Sequence, residues 1–257
     1  MKVAWLHDAG NADGTKGGAE LTMDEFREAA PKGLEFDPDG GTVVIGNCVT
    51  ISPEIIGQLE GKRVFRYHHD LARMESPALR TWLNDNAEHI FTSPLHRERY
   101  GVSWDHGERD CHIIPPALKL DRFRQNREDR RKSRRNGTVT IGSWQNPGKG
   151  GFLLSGWLAR NEQTADCYGH GPFSPQGPHI KHFGGYDHAD LPAILHSYET
   201  FAFLPTAVEP FGRCAVEAWA AGCQMVINDL IGARHFMEED PDALDTAAAD
   251  FWEVIGG

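Results

Sequence analysis

Five short apolar runs punctuate the first half of the chain: "KVAWLHD", "TVVIGNCV", "RVFRYHHD", "HIFTSP" and "CHIIPPAL". Each is rich in β-branched and aromatic residues, and segments of helical character such as "AELTMDEFREAA" and "SPALRTWLNDNA" lie between them. Apolar strands alternating with helices predict a parallel sheet covered on both faces. The strands end in polar or turn residues, at His7-Asp8, His69-Asp70 and Thr92-Ser93. Open parallel sheets bind ligands beyond the carboxyl ends of their strands, which makes these positions candidates for chemistry. A second series begins at "TVTIGSW" and runs through "TADCYGHGP", "HIKHFGG", "ETFAFLP" and "CQMVIND". Its expected helices are "GFLLSGWLARN", "DLPAILHSY" and "GRCAVEAWAAG", the last closed by Gly222. Between the series lies "KLDRFRQNREDRRKSRRNG", charged, almost free of apolar residues and ending in Asn136-Gly137. The pattern therefore divides the chain into an α/β domain at 1–118, a basic linker at 119–137 and a second α/β domain at 138–257.

Composition narrows the class. The 257 residues are 40% hydrophobic and 25% charged, which fits a globular protein with one large core or two modest ones. No apolar run approaches the roughly 20 residues that span a bilayer. The N-terminal "MKVAWLHDAG" turns polar within seven positions, too soon for a signal peptide. Five cysteines, odd in number and without a CxxC pair, suit reduced thiols and a cytoplasmic location. The net charge of −11 repels nucleic acid on average, although Lys119 to Arg135 alone carries nine basic residues against three acidic ones. A charge run at a domain boundary reads as a solvated linker before it reads as a phosphate-binding strip.

The stretch "LPTAVEPFGRCAVEAWAAGCQMVIND" holds the most specific chemistry. A strand, a tight loop and a helix follow one another, so the amides of Phe211, Gly212 and Arg213 sit at a helix start suited to phosphate. Glycine at 212 lets a ligand approach the backbone closely. Glu209 precedes that start and Glu217 lies about one and a half turns inside the helix. Carboxylates so placed can each accept two hydrogen bonds from a sugar's neighbouring hydroxyls. The competing reading is an acid that favours a helix N-terminus and a second on a solvated face.

The segment from Gly184 to Gly232 closely resembles the donor half of retaining glycosyltransferases of the GT-B fold, in particular the large family 4. The shared features, in order, are a glycine-bearing strand end, a helix, a Pro-Thr strand end, "EPFG", "VEAWAAG" and "D-x-x-G". The likeness covers roughly 138–236, and is looser over "GGAE", "HHD", "TSP" and "IIPPALKLDRF". It implies a GT-B architecture, two Rossmann-like α/β domains facing each other across a cleft, and a compact, viral-type member of the family. It further implies transfer of a sugar from a nucleotide-sugar donor to a hydroxyl acceptor, with retention of configuration.

By the same resemblance Glu217 holds the ribose, while Glu209 and the Phe211–Gly212 backbone hold the sugar. The turn "GSWQNPGKG" matches the diphosphate-binding loop, with Lys149 as its cation and Ser143 where the family carries an arginine. Gly17 and Gly18 fall in the glycine-rich turn that approaches the phosphate from the first domain. His69 matches the histidine at the end of a central strand, with His68 as the register alternative. Lys149 and the helix start would balance the leaving group's charge, so no metal or other cofactor is expected. The Asp37-Pro-Asp39 and Asp240-Pro-Asp242 pairs sit in proline turns and read as turns rather than metal sites. The acceptor stays open among glycan, lipid, protein and a modified DNA base, the last because small viral enzymes that glycosylate such bases use related folds. A sugar-nucleotide-binding relic without turnover is the other reading, motivated by Ser143 and by short domains. Nucleobase choice falls to the turns at Gly184–His188 and "CYGHGP".

Overall fold

The computed structural model describes residues 1–7, 17–46, 51–71, 76–100, 111–124 and 136–257. It divides into two units, one built from Met1–Leu118 with Glu238–Gly257, the other from Lys119–Met237. Most of the basic segment, 125–135, lies outside the described residues, as do Asp8 and Cys48.

The first unit is a six-stranded parallel sheet in the order β2-β1-β3-β4-β5-β6. Its strands are β1 (Lys2–Leu6), β2 (Glu35–Phe36), β3 (Thr42–Ile45), β4 (Arg63–Tyr67), β5 (Ala87–Phe91) and β6 (Cys111–Ile113). Helices α1 (Gly18–Glu28), α2 (Ile56–Leu59), α3 (Pro77–Asn86) and α4 (Pro94–Tyr100) connect them. Successive strand residues point to opposite faces, so Val3, Val44 and Phe65 enter one apolar layer while Ala4, Val43 and Val64 enter the other. Five of the six strands coincide with the apolar runs of the sequence; β2 is a two-residue edge that periodicity does not resolve.

In the second unit the parallel order is β11-β10-β7-β8-β9. The strands are β7 (Thr138–Ile141), β8 (Ala165–Tyr168), β9 (Ile180–Gly184), β10 (Thr200–Phe203) and β11 (Gln224–Ile227). Helices α5 (Gly151–Arg160), α6 (Leu191–His196), α7 (Arg213–Ala220) and α8 (Arg234–Glu238) complete it. Gly222 closes α7 in the left-handed region, at φ +80°, as glycine does after a helix. Strand order reverses at β7, whose neighbours are β8 on one side and β10 on the other. Ligand sites of open α/β sheets form at such a switch point.

One boundary differs from the expectation. The last helix, α9 (Ala243–Gly256), belongs to the first unit and not to the second. Aromatic burial explains this. Phe251 stacks on Phe26 with ring centroids 4.1 Å apart, Trp252 stacks on Trp5 at 5.7 Å, and the Trp252 indole N–H donates to the Phe26 carbonyl at 2.8 Å. The "DFWEVIG" face thus completes the apolar layer beside β1, where several kcal/mol of transfer free energy favour it.

Candidate functional site

Two loops of the second unit meet beyond the carboxyl ends of β7 and β10. The first, after β7, is anchored by Trp144: its side chain is fully buried and its indole N–H donates to the Tyr168 carbonyl at 3.2 Å. The Trp144 amide donates to the His170 carbonyl at 2.9 Å, and the neighbouring Ser143 is exposed. Asn146 then accepts from the Gly148 amide at 2.8 Å and starts a single 3-10 turn, Pro147–Lys149. The Gly148 carbonyl accepts from the amides of Thr206 (2.8 Å) and Ala207 (3.2 Å), which lashes this turn to the loop after β10. Gly150 takes a left-handed conformation, φ +77°, directly against the Leu204 carbonyl, where a Cβ would collide with backbone. Only glycine fits both demands.

The second loop is held from β11. The Asn228 side-chain amide donates to the Pro205 carbonyl at 2.8 Å, and the Glu209 backbone forms an isolated bridge with Ile231. Phe211 is buried against Phe236, and its carbonyl accepts from the Ala233 amide at 2.9 Å. Gly212, at φ +90°, is the N-cap of α7; a Cβ there would press on Ile231 and on the Glu209 side chain. The Ala215 amide donates to the Gly212 carbonyl at 2.9 Å, while the amides of Arg213 and Cys214 precede the helix's own carbonyl acceptors, a start suited to an anion.

These loops bring Lys149 and Glu209 together. The ammonium lies 2.5 Å from the carboxylate, with side chains 29% and 19% exposed. Lys149, expected as a cation facing a diphosphate, is therefore already engaged by an acid of the same site. Glu217 is 1% exposed, which overturns the solvated-face alternative for it. Its Oε1 lies 3.0 Å from His188 Nε2 and 3.7 Å from an Arg213 guanidinium nitrogen. Burying a carboxylate demands such partners. Cys214 and Tyr186 line the same helix start, sulfur to hydroxyl 3.9 Å. Burial pushes the Cys214 thiol up to about 12 and raises the Tyr186 hydroxyl further, so neither ionises near neutrality.

The remaining expectations fall on the first unit. Gly17 is the N-cap of α1, its amide donating to Glu20 at 2.9 Å, and Gly18 is that helix's first residue. The glycine pair thus forms a helix start rather than a turn, and residues 14–16 of "GTKGGAE" lie outside the described residues. His69 follows β4 at its carboxyl end, half-buried beside Tyr67 at 4.9 Å between rings. His68, the register alternative, is buried instead: it stacks on Phe91 and hydrogen-bonds His89 at 2.8 Å. Desolvation first, then the nearby Arg66 and the neighbouring imidazoles, hold it neutral well below the usual histidine range. Asp37 pairs with Lys2 at 2.7 Å and accepts from the Asp39 amide, a turn as expected. Among the described residues no group of three His, Cys, Asp or Glu side chains is arranged to hold a metal, and no helix is long and apolar enough to cross a membrane.

His188, Asn146 and Asn228 were not singled out from the sequence. Asn146 had a readable signal, an Asn-Pro-Gly turn. His188 meets Glu217 across 29 residues, and no local pattern marks that contact.

The chain aligns over its full length with solved glycosyltransferases. Anabaena HepE in complex with UDP-glucose is 17% identical, with 100% of this chain and 94% of that one covered and a TM-score of 0.65. The fold is GT-B. AviGT4, a glycosyltransferase involved in avilamycin A biosynthesis, gives 15% identity, coverage of 100% and 88%, and a TM-score of 0.65. An α-glucosyltransferase in complex with UDP gives 13%, 99% and 95%, and 0.60. No protein-family model and no curated protein matches the sequence. The GT-B assignment agrees with two all-parallel sheets, each in its own unit.

Proposed function

We propose that this chain is a glycosyltransferase that takes a sugar from a nucleotide-sugar donor and places it on a hydroxyl acceptor, with retention and without a required metal. The observation that carries this reading is the convergence of Lys149, Glu209, the α7 start and Glu217 at the switch point of the second sheet. In this reading the ribose hydroxyls meet Glu217, the diphosphate lies against the α7 amides and Lys149, and the sugar meets Glu209 and the Phe211–Gly212 backbone. Solved GT-B relatives in complex with UDP and UDP-glucose support a uridine donor as the first to test.

The chemistry follows from that placement. The bond from the anomeric carbon to the diphosphate oxygen breaks, and negative charge grows on the leaving phosphate. Lys149 and the helix start oppose that charge in fixed positions, where such electrostatic help is most effective. The acceptor oxygen bonds to the anomeric carbon on the same face and passes its proton to the departing phosphate. His69 is the acceptor-side group that the family resemblance implies. A donor hydroxyl of the sugar also gives Glu209 a partner in place of Lys149, which frees the lysine for phosphate.

The test is release of nucleoside diphosphate from UDP-glucose, UDP-N-acetylglucosamine and GDP-mannose, with water as a slow acceptor and EDTA present. Turnover of one donor, with proton NMR showing the released sugar first as the anomer of the donor, is the expected result. Inversion of that anomer sinks the retaining mechanism, and activity restored only by a divalent cation sinks metal independence. Nucleotide binding without turnover of any donor leaves the relic in its place.

A further inference from the structure

His188 is the unassigned residue with the most direct hold on the site. Its Nε2 lies 3.0 Å from Glu217 Oε1, and Glu217 is a buried carboxylate at the centre of α7. The Arg213 guanidinium approaches the same oxygen, at 3.7 Å. Both contacts reach the Oε1 end of the carboxylate. With the carboxylate ionised, the imidazole must donate through Nε2, which anchors that end of Glu217.

The histidine is itself immobilised. Asp187 accepts from the Ala189 amide at 2.8 Å and its carbonyl accepts from the Asp190 amide at 2.9 Å, which shapes the turn that presents His188. The His188 carbonyl accepts from an Arg122 guanidinium nitrogen at 3.3 Å, and from the Leu191 amide. Its ring meets the edge of Phe123, which is buried and whose own carbonyl is held by His196 at 2.7 Å. Two bonds hold the His188 backbone and its ring rests beside Phe123. That is the arrangement a positioning group needs, because a carboxylate recognises a diol only when its plane is fixed.

From this geometry we propose that His188 is the positioning residue that makes the site selective for a ribose carrying both hydroxyls. It rests on the reading of Glu217 as the ribose-binding carboxylate. His188 does not touch the ligand; it orients the Glu217 carboxylate so that its oxygens accept from the two neighbouring hydroxyls. Without the histidine the carboxylate turns toward Arg213 alone and loses that alignment.

The experiment is isothermal titration of the full chain with UDP, GDP and ADP, and with the 2′,3′-dideoxy form of the one that binds, on the wild type, H188A, H188F, H188Q, E217Q and the H188A/E217Q double variant. Hydrogen bonds from hydroxyls to a charged acceptor imply that wild type prefers the form with both hydroxyls by about 10- to 100-fold. The expected result is a preference reduced about tenfold or more in H188A, restored in H188Q, whose amide can donate from the Nε2 position, and unchanged between E217Q and the double variant. H188F, which keeps a ring and removes the donor, carries the comparison with wild type if H188A does not fold. A wild-type preference preserved in H188A, or an equal loss of affinity for both ligands, overturns the inference while leaving the donor site in place. Wild-type protein that binds none of UDP, GDP and ADP overturns the donor-site reading, and this inference with it.

Discussion

Replacing Glu209 with glutamine separates the two roles of the Lys149–Glu209 pair. The pair is 2.5 Å long with both side chains partly exposed. The bare Coulomb attraction at that separation is about 1.7 kcal/mol in water and about 7 kcal/mol at an effective dielectric of about 20. Desolvation of two ions and lost side-chain freedom cancel most of it, and partly exposed pairs retain about 1 kcal/mol. A diphosphate that recruits Lys149 must first overcome that amount and then sit beside the Glu209 carboxylate. Glu209→Gln removes both penalties and keeps the shape of the side chain. UDP should therefore bind the variant about fivefold more tightly than wild type at low salt, since 1 kcal/mol corresponds to that factor. The gain should shrink at high salt, as both contributions are screened. Transfer should nonetheless fall, because the proposed site loses the carboxylate assigned to the sugar. Titration calorimetry at two salt concentrations, alongside the turnover assay, measures all three quantities. UDP affinity that is unchanged or weakened in Glu209→Gln refutes the idea that Glu209 restrains the phosphate-binding lysine.

Three further outcomes follow from the same structure. Burial holds His96 down to about 4 and His68 well below its usual range, whereas both take up protons near 6.5 when unfolded. The folded first unit therefore loses stability as pH falls from about 6.5, by about 2 kcal/mol from His96 alone between pH 7.5 and 5; urea titrations at those two values check this, and equal stabilities contradict it. Gly150→Ala places a methyl group into the Leu204 carbonyl in a left-handed conformation, so it should cost several kcal/mol and abolish nucleotide binding together with stability; a melting temperature within a degree of wild type contradicts that. Trp252→Ala removes a buried ring and leaves the Phe26 carbonyl without its indole donor, and should cost about 3–5 kcal/mol in urea unfolding; a cost below 1 kcal/mol would mean that α9 is not part of the first core.

Strand-level architecture was readable because each buried strand is a short apolar run bounded by turn residues. Among the described residues ten of the eleven strands stand where such runs occur, while β2 has only two residues and no period to detect. Glu209, Glu217 and Gly212 stand out locally because a strand, a glycine-bearing loop and a helix start follow one another, whereas Lys149 stands out only through the resemblance of its loop to a diphosphate-binding turn. What escaped depends on contacts distant in sequence. Nothing near "DFWEVIG" says that it returns to β1, since its amphipathic pattern fits any apolar layer. Nothing near Glu217 announces burial either; in a single sequence its spacing also suits a solvated helix face, and only His188 and Arg213 reveal the compensation. Ser143 illustrates the remaining limit of local reading. Ser143 is exposed beside Trp144, the buried anchor of the loop, and the Arg213 guanidinium at the helix start is associated with Glu217.

The central claim is that the second unit holds a sugar nucleotide between Lys149 and Glu217. Thermal unfolding of wild type and Glu217→Ala against UDP, GDP, ADP and their sugar conjugates tests it most directly. A ligand present at about 100 times its dissociation constant stabilises the native state by about 2.7 kcal/mol, which for a chain of this size raises the melting temperature by about 5–10 °C. The account predicts such a rise for one nucleotide family in wild type and its loss in Glu217→Ala. Melting temperatures indifferent to every nucleotide, or a rise that persists without Glu217, would contradict it.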